Sequence, residues 1–188
     1  MELFPTLQIG MLNGWIFLVI LYLIYGVVLL AFPENVVKEL YRYDRSSLSR
    51  KQKAFNIIRE SLGLLSLILI LLTPLKTGTA VFLPSLILFG LGFTGFIVAL
   101  INFKNRPVDQ PAQQGLYRIS RHPQILMLFI SVFGIGIAIG SWPVLILHTL
   151  ASIFGHARIM LEEQACLEQF GNAYRAYMKR VPRYLLSF

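Results

Sequence analysis

Long apolar runs separated by short polar segments rich in Arg and Lys set the pattern of this chain. The first run, Leu12 to Phe32, reads as a helix that Pro33 ends, and at about 1.5 Å per residue it would cross the roughly 30 Å of a bilayer core. It lacks a basic leader and a small-residue cleavage pattern, so it is expected to stay in the membrane. Residues 33–60 are polar and hold seven cations: Lys38, Arg42, Arg45, Arg50, Lys51, Lys53 and Arg59. Ser49 is placed to cap a helix that enters a second span at 55–72 and stops at Thr73 and Pro74. A third span is expected over 81–103, with Gly90, Gly92 and Gly95 as a close-packing face. The connector 104–123, with Pro107 and Pro111, is too irregular to face lipid uncovered. The run that follows is too long for one helix, and Gly140-Ser-Trp-Pro143 divides it into spans 124–140 and 143–159. The fold class this predicts is an all-α integral membrane protein of five transmembrane helices, the last two a hairpin, with a C-terminal helical tail. The tail is expected to break at Phe170 and Gly171 and to carry Tyr174 and Tyr177 on one face of a short helix.

Composition supports a membrane protein. Apolar residues make up 56% of the 188, and charged residues only 14%. The net charge of +8 lies beside the apolar runs, which points to lipid headgroups and away from nucleic acid. In the five-span arrangement the N-terminus, the 74–80 loop and the turn at 141 hold only Lys76, and the other sixteen of seventeen cations fall on the opposite side. The positive-inside rule then puts the N-terminus outside and the C-terminus in the cytoplasm. Segments 104–123 and 160–188 share that cytoplasmic surface.

The single Cys166 excludes an internal disulfide and a cysteine-cluster metal site. His122, His148 and His156 form no close-spaced zinc motif, no metal is expected, and phosphate-loop and dinucleotide fingerprints are absent. Polar groups remain concentrated at the mouth of the fourth span, with Glu162, Glu163 and the aromatic, basic tail. Such a set suits an amphiphilic ligand bearing both charges and an aromatic base.

The run Gly115-Leu-Tyr-Arg-Ile-Ser-Arg-His-Pro123, then Arg158-Ile-Met-Leu-Glu-Glu163, Phe170-Gly-Asn-Ala-Tyr174, Tyr177 and Val181-Pro182, resembles the isoprenylcysteine carboxyl methyltransferases and their prokaryotic relatives. The wider group includes membrane phospholipid N-methyltransferases. The resemblance implies methyl transfer from S-adenosylmethionine to a lipophilic acceptor drawn from the bilayer. Carried over, it makes Gln113, Leu116, Tyr117, His122, Pro123, Glu162, Glu163, Tyr174 and Tyr177 cofactor-binding residues, with Glu163 slightly preferred as the acidic ligand. Arg158 would orient or neutralise an acceptor carboxylate, and Arg158 and Glu163 form the expected catalytic pair. Gln124, Ile125 and Met127 stand where the eukaryotic enzymes carry a small residue, Tyr and later Gly, which leaves the acceptor open. An isoprenylcysteine-like α-carboxylate is favoured, with a phospholipid amine or a non-catalytic lipid-binding scaffold as alternatives. For an amine or thiol acceptor, His122 becomes a general base. Monomer and dimer are not distinguished.

Overall fold

The computed structural model describes residues 1–41, 48–107 and 109–185. Arg42 and Arg45 of the basic segment, and the last three residues of the tail, lie outside the described residues. Among the described residues the chain is all-helical: α1 (Trp15–Leu30), α2 (Glu34–Leu40), α3 (Arg50–Leu72), α4 (Phe82–Lys104), a 3-10 turn (Gly115–Arg118), α5 (Pro123–Ala138), α6 (Trp142–Phe170) and α7 (Asn172–Arg180).

Local chemistry sets the boundaries. Ser49 and Gln52 form a reciprocal capping box, Gln52 N donating to Ser49 Oγ and Ser49 N to Gln52 Oε1, so α3 starts within the basic segment and carries its last four cations. Pro123 and Pro143 occupy first turns, where their missing N–H groups would have no helical partner. Ser141 caps α6 through Val144 N.

Three helices, α3, α4 and α6, are long and apolar enough to cross a membrane. The other two apolar helices, α1 and α5, have 16 residues each, and at 1.5 Å per residue about 24 Å of length, below a roughly 30 Å core. They are shorter than the expected 12–32 and 124–140. Residues 12–14 and 139–141 make inter-element contacts instead of further helix: Gly14 N donates to Thr73 O, Leu75 N to Leu12 O, and Glu2 N to Gly140 O. At 29 residues, α6 runs through the expected end of its span without interruption. Its turns from about Arg158 onward are the polar extension that carries Glu162 and Glu163 beyond the apolar stretch.

Helices α4 and α5 pack closely through glycine. A Cβ on Gly92 would lie 2.5 Å from Ser131 N, and one on Gly134 2.7 Å from Phe89 N. Gly95 faces Met127, whereas a Cβ on Gly90 would meet nothing within 4 Å among the described residues, so Gly90 is not part of this face. Phe17, Phe89, Phe93, Phe96, Leu100 and Ile135 fill the core between α1, α4 and α5. The N-terminal segment ties together one end of the bundle. Glu2 N donates to Gly140 O, Trp142 N to Glu2 O and Gln8 N to Leu72 O, while Lys76 pairs with Glu2 at 2.8 Å. The opposite end holds the 3-10 turn, the extension of α6, and α7.

Candidate functional site

At that second end, the turn entering α5 meets the C-terminal segment. Arg121 N donates to Pro182 O at 3.0 Å, and Ser120 Oγ to Arg183 O at 2.9 Å. Ser120 Oγ also accepts from His122 N at 3.2 Å. Tyr177, from α7, donates its hydroxyl to Tyr117 O at 2.7 Å, and Gln124 Nε2 donates to the Tyr117 hydroxyl at 2.9 Å. Two stretches distant in sequence, 117–124 and 177–183, are thereby fixed around one carboxylate of α6.

That carboxylate is Glu163, only 2% exposed. Arg183 grips it in bidentate fashion, Nη2 to Oε2 at 2.7 Å and Nε to Oε1 at 3.1 Å. His122 Nε2 lies 3.3 Å from Oε1. Arg121 Nε is 3.1 Å from the same oxygen, close enough to form an ion pair but not aligned for a hydrogen bond. Burial alone would raise the Glu163 pKa, but the His122 and Arg183 hydrogen bonds and the Arg121 charge outweigh it and hold it at about 2. The group is an anion at any physiological pH.

Its neighbour Glu162 is more open, with its side chain 31% exposed. It accepts from Arg158 Nε at 2.8 Å, one helical turn earlier, and lies 4.0 Å from His122 Nδ1. His122 thus stands between two carboxylates, one at each ring nitrogen. Burial pushes the phenols of Tyr117, Tyr174 and Tyr177 upward, so all three remain neutral hydrogen-bonding groups. Burial likewise raises the Cys166 thiol to about 11, which makes it inert packing.

The structure brings most of the expected site residues together. Tyr117, His122, Glu162, Glu163 and Tyr177 are linked directly, and Arg158 joins through Glu162. The Tyr174 and Tyr177 rings lie 5.7 Å apart between centroids and are tilted by 60°, both on the buried face of α7. Gln113 accepts from Arg180 Nη2 at 3.1 Å, tying the connector to α7. Pro123 is fully buried as the first residue of α5, and Leu116 contributes its carbonyl to the N–H groups of Ile119 and Ser120. His148 lies apart, stacked on Phe129 at 5.0 Å inside the bundle.

Sequence reasoning missed three contributors. Arg183 was part of a general basic tail, although it is the principal partner of Glu163. Ser120 lies inside the quoted motif with no role assigned to it, and its hydroxyl bridges the turn and the tail. Tyr184, whose hydroxyl meets His156 Nδ1 at 2.9 Å, had no signal. Beside Glu163 and Arg183 lies a half-open cavity of about 350 Å³ whose apolar wall is Met160, Leu161, Leu167 and Met178.

An all-helical bundle of described residues with apolar membrane-length helices defines a membrane protein, and the charged, aromatic cluster at one end is its candidate site. Residues 70–173, more than half of the chain, match the model of the phospholipid methyltransferase family, and the chain belongs to that family. It is a membrane protein of a methyltransferase family. No curated protein gives a significant match.

Proposed function

We propose that this protein transfers a methyl group from S-adenosylmethionine to the amine of a phospholipid headgroup, at a cytoplasmic site formed by the turn into α5, the end of α6 and α7. The observation that carries this reading is His122 held between Glu162 and Glu163. An ammonium headgroup must lose a proton before it can act as a nucleophile, and an imidazole oriented by carboxylates is suited to take it. The family's description, phospholipid methyltransferase, agrees.

The residues present fit the cofactor. Glu162, partly open, offers a carboxylate to its ammonium group; Tyr117, Tyr174 and Tyr177 offer aromatic surface; Gln113 offers an amide. When bound, the cofactor supplies an electrophilic methyl group on sulfur. His122 Nδ1 accepts the acceptor's proton, and Glu162 compensates the charge that results. Glu163 acts as a positioning residue, fixing His122, Arg121 and Arg183 while itself closed to solvent. The bidentate Arg183 contact and the bond from Ser120 to the tail hold the tail over the site and exclude water. The apolar wall of Met160, Leu161, Leu167 and Met178 gives acyl chains a place beside the reacting end.

A carboxylate acceptor of the isoprenylcysteine type is the second reading, supported by Arg158, which is 34% exposed beside the site. It is less well served, because Arg158, Arg121 and Arg183 all direct their charge at Glu162 and Glu163. In this account α1 and α5 also lie within the bilayer, giving five membrane-embedded helices, with the N-terminus outside and the tail inside.

Protein in lipid nanodiscs, incubated with methyl-labelled S-adenosylmethionine, tests the acceptor. Label in phosphatidylethanolamine that survives mild base supports the amine. Base-labile label on a prenylcysteine, with none on phosphatidylethanolamine, refutes it in favour of the carboxylate.

A further inference from the structure

The end of α4 carries a second charge pair, its cation buried, outside the contacts that fix Glu163. Arg106 pairs with Glu39 of α2, and its guanidinium carbon lies 4.1 Å from the centroid of the Phe103 ring. The Arg106 side chain is 8% exposed and that of Glu39 32%, so the cation lies inside and the anion at the rim. Arg106 Nε is buried and has no hydrogen-bond partner among the described residues. A buried charge with an unmet donor is costly unless a ligand completes it.

The pair adjoins the site. Asn102, in the last turn of α4, packs against Gly115, whose φ is +57°; a Cβ there would fall 1.9 Å from Asn102 Oδ1. The end of α4 therefore abuts the 3-10 turn that carries Tyr117. The charge of Arg106 acts on both the Tyr117 hydroxyl and the Cys166 thiol, as does that of Glu162, and Glu39 also acts on Cys166.

We infer that Arg106 and Glu39 recognise a zwitterionic aminophospholipid headgroup, Arg106 receiving the phosphodiester and Glu39 the ammonium. This rests on the amine reading above and adds the groups that select the acceptor on entry, before its amine passes to His122. Two phosphodiester oxygens match the guanidinium edge that includes the unpartnered Nε. When the internal pair opens, Glu39 is compensated by the lipid's ammonium, so neither charge is left alone. A lipid bearing phosphate without an amine satisfies Arg106 and strands Glu39, as does a prenylcysteine carboxylate. The preference is therefore for both charges on one headgroup.

Native mass spectrometry of detergent-purified protein, with dioleoyl phosphatidylethanolamine and phosphatidylglycerol in competition, tests this alongside calorimetry with S-adenosylhomocysteine. The wild type is expected to retain phosphatidylethanolamine over phosphatidylglycerol by about tenfold. Arg106→Gln should abolish the preference while leaving S-adenosylhomocysteine affinity within about twofold. The exchanged double variant Glu39→Arg with Arg106→Glu restores an internal ion pair, so it should recover thermal stability without recovering the lipid preference. Equal preference in wild type and Arg106→Gln overturns the inference. So does recovery of the preference in the exchanged variant, or a parallel loss of S-adenosylhomocysteine binding in Arg106→Gln, which would place Arg106 on the cofactor. Arg106-dependent lipid preference without amine methylation would keep the binding site and refute the catalytic reading.

Discussion

Glu163 concentrates the electrostatic energy of the site in one side chain. Removing a charged partner from a buried ion pair leaves the others uncompensated, so Glu163→Gln is expected to destabilise the protein by about 3–5 kcal/mol, seen as a lower thermal midpoint in detergent. The pH dependence follows from the same contacts. With its pKa lowered from 4.5 to about 2, Glu163 contributes stability that is fully present above 4.5 and is lost as pH falls toward 2. Thermal scans across that interval should fall more steeply for the wild type than for Glu163→Gln. At neutral pH, Tyr177→Phe deletes the bond to Tyr117 O and leaves a buried carbonyl unmet, an expected loss of about 1–3 kcal/mol by denaturant titration. His122, Glu162 and Glu163 were legible in the sequence through the family motifs they resemble, not through their spacing alone. Arg183 and Arg106 were not, because an arginine near a helix end reads as solvated. Only the fold reveals that one closes on Glu163 and the other is buried over Phe103.

At the scale of elements, the α4–α5 interface makes a sharp contrast between neighbouring glycines. Gly92→Leu drives a side chain into the Ser131 backbone and is expected to prevent α4 and α5 from packing, whereas Gly90→Leu meets open space. Detergent-stable yield and thermal midpoint should collapse for the first and stay near wild type for the second. Helix starts were well marked in the sequence: Ser49, Pro123 and Pro143 all act as helix-start residues. The start of α1 and the end of α5 were less so, because the N-terminal segment and the 139–141 turn spend backbone groups on contacts between distant residues, which no local pattern encodes. The Gly90, Gly92 and Gly95 series read as one face by composition. The register of α4 against α5 engages only the latter two.

Across the whole molecule, the N-terminal segment, the 74–80 loop and the turn at 141 gather at one end of the bundle, and the site gathers at the other. The sparsely charged end and the basic end were readable from charge distribution alone, since sixteen of seventeen cations lie in residues 33–60, in the 104–123 connector or from Arg158 onward. In the proposed orientation a single cysteine at Thr77, in a Cys166→Ser background, reacts with an impermeant maleimide in intact cells. One at Ala173 reacts only after permeabilisation, and the reverse pattern would invert the topology. The central claim is that the turn into α5 and the end of α6 together form the cofactor site. Calorimetric titration of the detergent-purified protein with S-adenosylhomocysteine tests it most directly, beside monodisperse His122→Ala and Glu163→Gln variants. The account predicts micromolar binding by the wild type, weakened at least about tenfold in both variants. A folded wild type that binds none, or variants that bind as tightly as the wild type, would contradict it.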